Sequence, residues 1–313
     1  MRRVQLGSLT TSALCLGGNV FGWTADRRTS FDVLDRFTAA GGDFVDTADV
    51  YSAWVRGHVG GESETVLGEW LRTVDDRASV VIASKVAKHP AHPGLTADNV
   101  RTAFDLSRRR LGVDRIDLYY AHEDDTTVPA QEWMAVFNEL RAAGQIGEYG
   151  LSNFSTARTA EVLAIAAQEG WVPPVAIQPP YSLVDRRAEG TGLTRLAAQS
   201  GLGVICYHGL AAGFLTGKYR RDTTPTGPRA SSIKHYATED AWAVEALVVE
   251  IAQERECPPG ALALAWLLHQ EGTVVPIASA STPSQVPALM AALDVTLTPE
   301  QLTKLDLVSR PFL

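Results

Sequence analysis

Eight times along this chain a short apolar run gives way to a longer segment with helical periodicity. The runs are ALCLG (13–17), FVDT (44–47), VVIAS (80–84), IDLYYA (116–121), GEYGLS (147–152), VAIQ (175–178), GVICY (203–207) and TVVPI (273–277). Several are apolar nearly throughout, as parallel strands buried on both faces should be. Helical segments lie between them. SFDVLDRFTAAG (30–41) opens on a serine cap, and ESETVLGEWLRT (62–73) has acids in its first turn. TADNVRTAFDLSRRRLG (96–112) has a threonine cap and arginines near its end, which suits the helix dipole. Trp133, Val136, Phe137 and Leu140 share one face of segment 128–144. Further helices are expected at 155–168, 192–200, 238–254 and 259–270. Strand–helix alternation repeated eight times predicts an α/β chain folded as one (β/α)8 TIM barrel, a single domain over residues 1–313. No linker or charge block divides it. Stretch 219–237, rich in Thr, Pro, Arg and Ser, reads as a long surface loop. A doubly wound nucleotide fold would need GxGxxG after its first strand. The nearest match, Gly201-Leu202-Gly203, precedes a strand and lacks the third glycine.

Composition removes other classes. The net charge of -8 argues against a nucleic-acid groove, which needs a basic face. The longest apolar run, ALALAWLL (261–268), is too short to span a bilayer. Ser, Thr and Gly interrupt the start of the chain, so a signal peptide is not expected. Cys15, Cys206 and Cys257 are odd in number and show no CxxC spacing. They read as free thiols of a cytoplasmic protein. HEDD (122–125) and HPAHP (89–93) lack the spacing of a metal site, and no metal is expected. The arginines 108–110 read as a solvated helix end, and Gly57, Gly60 and Gly61 as turn residues.

In a barrel, chemistry gathers where the strands end. Reading those ends in order gives Asp46, with Tyr51 in the loop beyond, then Lys85, then His122. Four ionisable groups from three successive strand ends would converge on one small volume. The lysine carries extra weight, because the chain has only five against many arginines. A compact ammonium tolerates burial and pKa tuning better than a guanidinium. A neighbouring ammonium should lower the pKa of a phenol. Asp46 would hold Lys85 in place, His122 would orient a substrate oxygen, and Tyr51 would donate a proton to a carbonyl as a hydride arrives. Phe21, Trp23 and Trp54, in the first two strand-end loops, are candidate pocket walls.

DTADVY, GGESETVLGEWL, ASK, IDLYYAH, GLSNF, QPPYSL and GFLTGKY occur in an order that resembles the aldo-keto reductase superfamily over essentially the full length. The likeness is strongest to the bacterial branch that also resembles the potassium-channel beta subunits. The resemblance implies a catalytic tetrad of Asp46, Tyr51, Lys85 and His122 and reduction of an aldehyde or ketone with NADP(H), NAD(H) being the second choice. It places Ser152, Asn153 and Gln178 on the nicotinamide carboxamide and Tyr207 against the ring. It places Leu210, Gly213 and Lys218 at the pyrophosphate, and Gly18 and Asn19 near the reacting carbon. After the last strand it retains Ser281 and Gln285 as cofactor contacts, and sets Ala288 and Leu289 where an acid and an amide usually hold adenine. His208 replaces a common Ser at the turn after Tyr207. Two alternatives stay open at this point: a cofactor-sensing interaction protein with slow turnover, and a ketosugar reductase.

Overall fold

A computed structural model describes residues 2–221, 226–227, 230–236 and 238–313. The chain opens with an antiparallel hairpin, β1 (Arg3–Leu6) and β2 (Leu9–Ser12). The barrel strands β3 (Cys15–Gly17), β4 (Phe44–Asp46) and β5 (Val81–Val86) follow. A second small hairpin, β6 (Lys88–His89) with β7 (His92–Pro93), stands beyond β5. Then come β8 (Ile116–Ala121), β9 (Ile146–Ser152), β10 (Ala176–Gln178), β11 (Gly203–Cys206) and β12 (Val274–Ala278). The eight longer-range partners are parallel throughout and close in the order β3-β4-β5-β8-β9-β10-β11-β12, with β12 returning to β3. This is the (β/α)8 TIM barrel that the alternation predicts.

The main outer helices lie at the expected places: α1 (Arg27–Ala39), α2 (Glu62–Leu71), α3 (Ala97–Leu111), α4 (Ala130–Ala142) and α5 (Thr156–Glu169). After a short α6 (Arg187–Gly190) come α7 (Leu193–Ser200), α8 (Ala230–Tyr236), α9 (Glu239–Glu254) and α10 (Pro259–Leu268). Stretch 219–237, expected as a loop, therefore contains a helix; its residues 222–225, 228–229 and 237 lie outside the described residues. Side-chain caps set several boundaries. The Thr96 and Ser155 hydroxyls accept from backbone N–H groups three residues on, and Gly112 and Gly170 end those helices in the left-handed conformation. The cap of α1 is Asp26, not Ser30, whose hydroxyl donates back to the Asp26 carbonyl from inside the first turn.

Inside the barrel, Cys15, Phe44, Ala83, Leu118, Tyr120, Ala176, Ile205 and Val275 pack together, and Leu6 and Leu9 of the first hairpin seal the N-terminal end. Glu148 pins that plug. It accepts from the Ser8 N–H at 2.8 Å and pairs with Arg141 at 3.0 Å. The bottom of the barrel is thus filled and stapled, and the opposite end is left for chemistry.

Candidate active site

Strand geometry brings the polar residues together. Side chains alternate between the two faces of a strand, so residues i and i+2 share the barrel interior. Two positions beyond the apolar layer of Phe44, Ala83, Ala176 and Ile205 stand Asp46, Lys85, Gln178 and Tyr207. Two positions beyond Tyr120 stands His122. The interior therefore passes from apolar to polar within one step along each strand.

The Lys85 ammonium is the centre of this layer. It donates to Asp46 Oδ1 at 2.6 Å, to the Thr47 carbonyl at 2.7 Å and to Tyr51 Oη at 2.8 Å. An ammonium has three donors and no acceptor, so its bonding is complete. Tyr51 Oη donates to Asp46 Oδ1 at 3.0 Å, and Gln178 Nε2 donates to Asp46 Oδ2 at 2.9 Å. Asp46 and Lys85 are both fully buried. Desolvating two such ions costs several kcal/mol each, and only close pairing with full hydrogen bonding offsets it.

Burial pulls the Lys85 ammonium below the ordinary lysine value, while Asp46 draws it back up. Burial also pushes the Tyr51 phenol well above its ordinary value, and the Asp46 charge adds to the rise. This corrects the expectation that Lys85 would leave the phenol lowered: desolvation and the shared carboxylate outweigh the ammonium. Tyr51 is consequently held as a protonated acid. The His122 ring centre lies 6.0 Å from that of Tyr51. Burial, then Lys85 and Lys88, hold its pKa well below the usual histidine value, so it is a neutral imidazole.

The residues assigned to the nicotinamide form a linked rim. Ser152 Oγ donates to the Gln178 carbonyl at 3.0 Å. Asn153 Nδ2 donates to the His122 carbonyl at 2.9 Å, and Tyr207 Oη donates to Asn153 Oδ1 at 2.7 Å. Gln178 differs from the expectation in that its amide nitrogen is committed to Asp46. Asn19 Oδ1 accepts from Ser279 Oγ at 2.6 Å. Gly18 is buried, and a Cβ there would stand 2.9 Å from the Asp46 carbonyl, so it brings β3 close against β4. The Ser281 hydroxyl meets that of Thr24 at 3.0 Å, and the Ser281 N–H donates to Gln285 Oε1 at 2.7 Å.

The turn after β11 is strained. His208, Ala211, Ala212 and Gly213 have φ of 60°, 48°, 57° and 98°. A non-glycine residue in this region costs on the order of 1–3 kcal/mol and persists only where the surroundings impose it. Within the turn the Ala211 and Gly213 N–H groups donate to the His208 and Leu210 carbonyls at 2.7 and 2.8 Å. Leu210 precedes the strained turn Ala211–Thr216, and a Cβ on Gly213 would lie 3.3 Å from Lys218 Nζ. A cation over a strained turn at the end of the seventh barrel strand fits the pyrophosphate of a dinucleotide. The His208 ring, which the sequence leaves unassigned, meets Tyr236 Oη at 3.2 Å and so ties α8 to this turn.

Some expectations need correction. Phe21 is fully buried in the main hydrophobic core, where the Ser52 hydroxyl bonds its carbonyl, and it offers no surface to a pocket. Trp23 and Trp54 do meet, edge to face with ring centres 5.6 Å apart, and Trp54, half exposed, lies 6.1 Å from the Tyr51 ring. Trp23 also lines a cavity of about 700 Å³ with His58, Gly61, Val66 and Arg110. Leu289, which the resemblance sets where an amide usually holds adenine, is buried against the core on α11 (Val286–Met290). Arg110 is no solvated helix end: its Nε donates at 2.6 Å to Glu64, which is fully buried. Gly57, Gly60 and Gly61 all have positive φ, as turn residues. Asp49 has both carboxyl oxygens buried, and sequence reasoning passed over it. Among the described residues no group of three or more His, Cys, Asp or Glu is placed to hold a metal ion. Among them, too, no helix is long and apolar enough to cross a membrane.

The comparisons with known proteins agree with this geometry. The sequence profile of the Aldo/keto reductase family matches residues 13–310. An uncharacterized oxidoreductase of Mycobacterium bovis is 34% identical, over 90% of this chain and 82% of its own length. The aldo-keto reductase yakc [NADP(+)] of Schizosaccharomyces pombe is 29% identical, over 94% of this chain and 87% of its own. A putative voltage-gated potassium channel subunit beta of the same yeast is 30% identical, over 95% and 90%. The chain belongs to the aldo/keto reductase family and is an oxidoreductase.

Proposed function

We propose that this protein reduces an aldehyde or ketone to an alcohol with NADP(H), and that Asp46, Tyr51, Lys85 and His122 carry the acid catalysis. The observation that supports this most is the Asp46–Lys85–Tyr51 linkage, with a protonated phenol 2.8 Å from a buried ammonium. Bound NADPH supplies the hydride. The strained turn at 211–213 with Lys218 would hold its diphosphate, and the rim of Ser152, Asn153 and Tyr207 would face its nicotinamide.

The rest falls to the protein. The phenol proton lies toward Asp46 Oδ1, so it must turn to the carbonyl oxygen to be given up. As it leaves, negative charge grows on Tyr51 Oη, where Lys85 already donates. That interaction strengthens in the transition state and lowers the barrier. The neutral His122 ring is suited to donate one N–H to the carbonyl oxygen and fix its position. Trp23 and Trp54 give the substrate an apolar wall. The test is cofactor oxidation across short aldehydes, aromatic aldehydes, ketosteroids and ketosugars, with NADPH and NADH in parallel. At least one carbonyl class should drive cofactor consumption, faster with NADPH. Consumption by none, with cofactor retained through purification, would favour a sensing role instead.

A further inference from the structure

Asp49 lies three residues beyond Asp46 and is 1% exposed. Neither of its carboxyl oxygens makes a hydrogen bond among the described residues. The buried Tyr119 hydroxyl likewise has no partner by hydrogen-bond geometry, and the Asp49 charge acts on it. Glu64 of α2 is buried too, but its two oxygens are taken, one by Ser84 Oγ and one by Arg110 Nε at 2.6 Å. The charged groups that act on Asp49 are Glu64 from α2, Arg110 from α3 and Lys85 from β5, and Asp49 in turn acts on Tyr119 of β8. A Cβ on Gly60 would stand 2.9 Å from the Asp49 backbone carbonyl and 2.6 Å from His89 Nε2, so this loop packs tightly against that part of the chain.

An ionised carboxylate without donors is very costly in such a place. Asp46 and Asp49 share one loop but meet opposite surroundings. Asp46 has side-chain donors in Lys85, Tyr51 and Gln178; among the described residues Asp49 has no side-chain donor. We infer that Asp49 is a positioning residue of the reductase site, kept as a buried neutral carboxylic acid so that Asp46 alone draws on the Lys85 ammonium. This deepens the reductase reading above and rests on it. Burial, then the charge of Glu64, raise the Asp49 carboxyl to about 8, against the opposing effects of Arg110, the Val50 N–H and Lys85.

A second negative charge beside Lys85 would do two things. It would divide the ammonium's field between two carboxylates, and it would disfavour the phenolate that forms when Tyr51 gives up its proton. Carbonyl reduction should therefore fall as Asp49 ionises. Asn is close to an isostere of the neutral acid and cannot ionise.

The experiment has two arms. The first is the pH profile of kcat/KM for carbonyl reduction by the wild type and by Asp49→Asn. The wild type should fall with a break near the value given above, and the variant's break should lie higher. About one pH unit past the wild-type break, the variant should exceed the wild type roughly tenfold. Profiles that coincide would overturn the inference. The second arm needs no substrate: carbon NMR of the carboxyl groups, with Asp49→Asn assigning the resonance, and denaturation of both proteins across pH. A group whose folded pKa is raised gives stability present below its unfolded value, lost as pH rises through the folded one. Wild-type stability should thus decline relative to the variant between about pH 4 and about pH 8. An Asp49 carboxyl that titrates in the ordinary range, with parallel stability curves, would also overturn it. A wild type that reduces no carbonyl would instead remove the reductase reading, and the second arm would still report whether Asp49 holds its proton.

Discussion

Replacing Tyr51 by Phe should abolish carbonyl reduction while leaving the fold and the dinucleotide affinity in place. The phenol oxygen accepts from Lys85 and donates to Asp46, and both partners keep other bonds without it: Lys85 to Asp46 and the Thr47 carbonyl, Asp46 to Lys85 and Gln178. Loss of one hydrogen-bonding group of this kind changes stability by about 1–3 kcal/mol. Loss of a positioned general acid lowers turnover by roughly 10²–10⁴-fold. Single-turnover kinetics and fluorescence titration with NADPH separate the two effects. A variant that turns over like the wild type would remove Tyr51 from the acid role.

Lys85→Met acts on both levels. It should leave the buried Asp46 carboxyl with two neutral donors, Tyr51 and Gln178, in place of a cation. Removing one partner of a buried pair costs about 3–5 kcal/mol, a large share of the roughly 5–15 kcal/mol that holds a domain folded. The double variant Lys85→Met with Asp46→Asn removes both charges and should recover much of that stability. It should recover none of the activity, because nothing is left to stabilise a phenolate at Tyr51. Urea denaturation measures the first effect and steady-state kinetics the second. A single variant as stable as the wild type would mean that the ion pair does not hold the site together.

What could be read from the sequence follows from where each residue's information lies. The eight strands were legible because parallel strands buried on both faces must be apolar, and IDLYYA and VVIAS have few other uses. The convergence of Asp46, Lys85 and His122 was legible because strand period fixes which residues share the interior, so they had to meet at one end. The N-terminal hairpin was missed. Its residues Arg3–Ser12 are mixed and short, and only Leu6 and Leu9 show its role as a plug. The direction of the Tyr51 shift was missed because adjacency to Lys85 is visible in sequence and depth of burial is not. Arg110 looked like one of three solvated arginines, since its partner Glu64 lies 46 residues away. Phe21 and Trp23 looked alike, and only packing sent one into the core. Asp49 was hidden for a similar reason: spacing put it between Asp46 and Tyr51, while its carboxyl oxygens are buried without a hydrogen-bond partner among the described residues.

The most direct test of the central claim follows the hydride. The protein is incubated with a reducible carbonyl and NADPH carrying deuterium on the transferred position of C4, and the product alcohol is examined by mass spectrometry and NMR. Deuterium should appear on the former carbonyl carbon, one per molecule, and the hydroxyl hydrogen should come from solvent through Tyr51. An alcohol formed without label on that carbon would contradict direct transfer beside the Asp46–Lys85–Tyr51 group, whatever the rate.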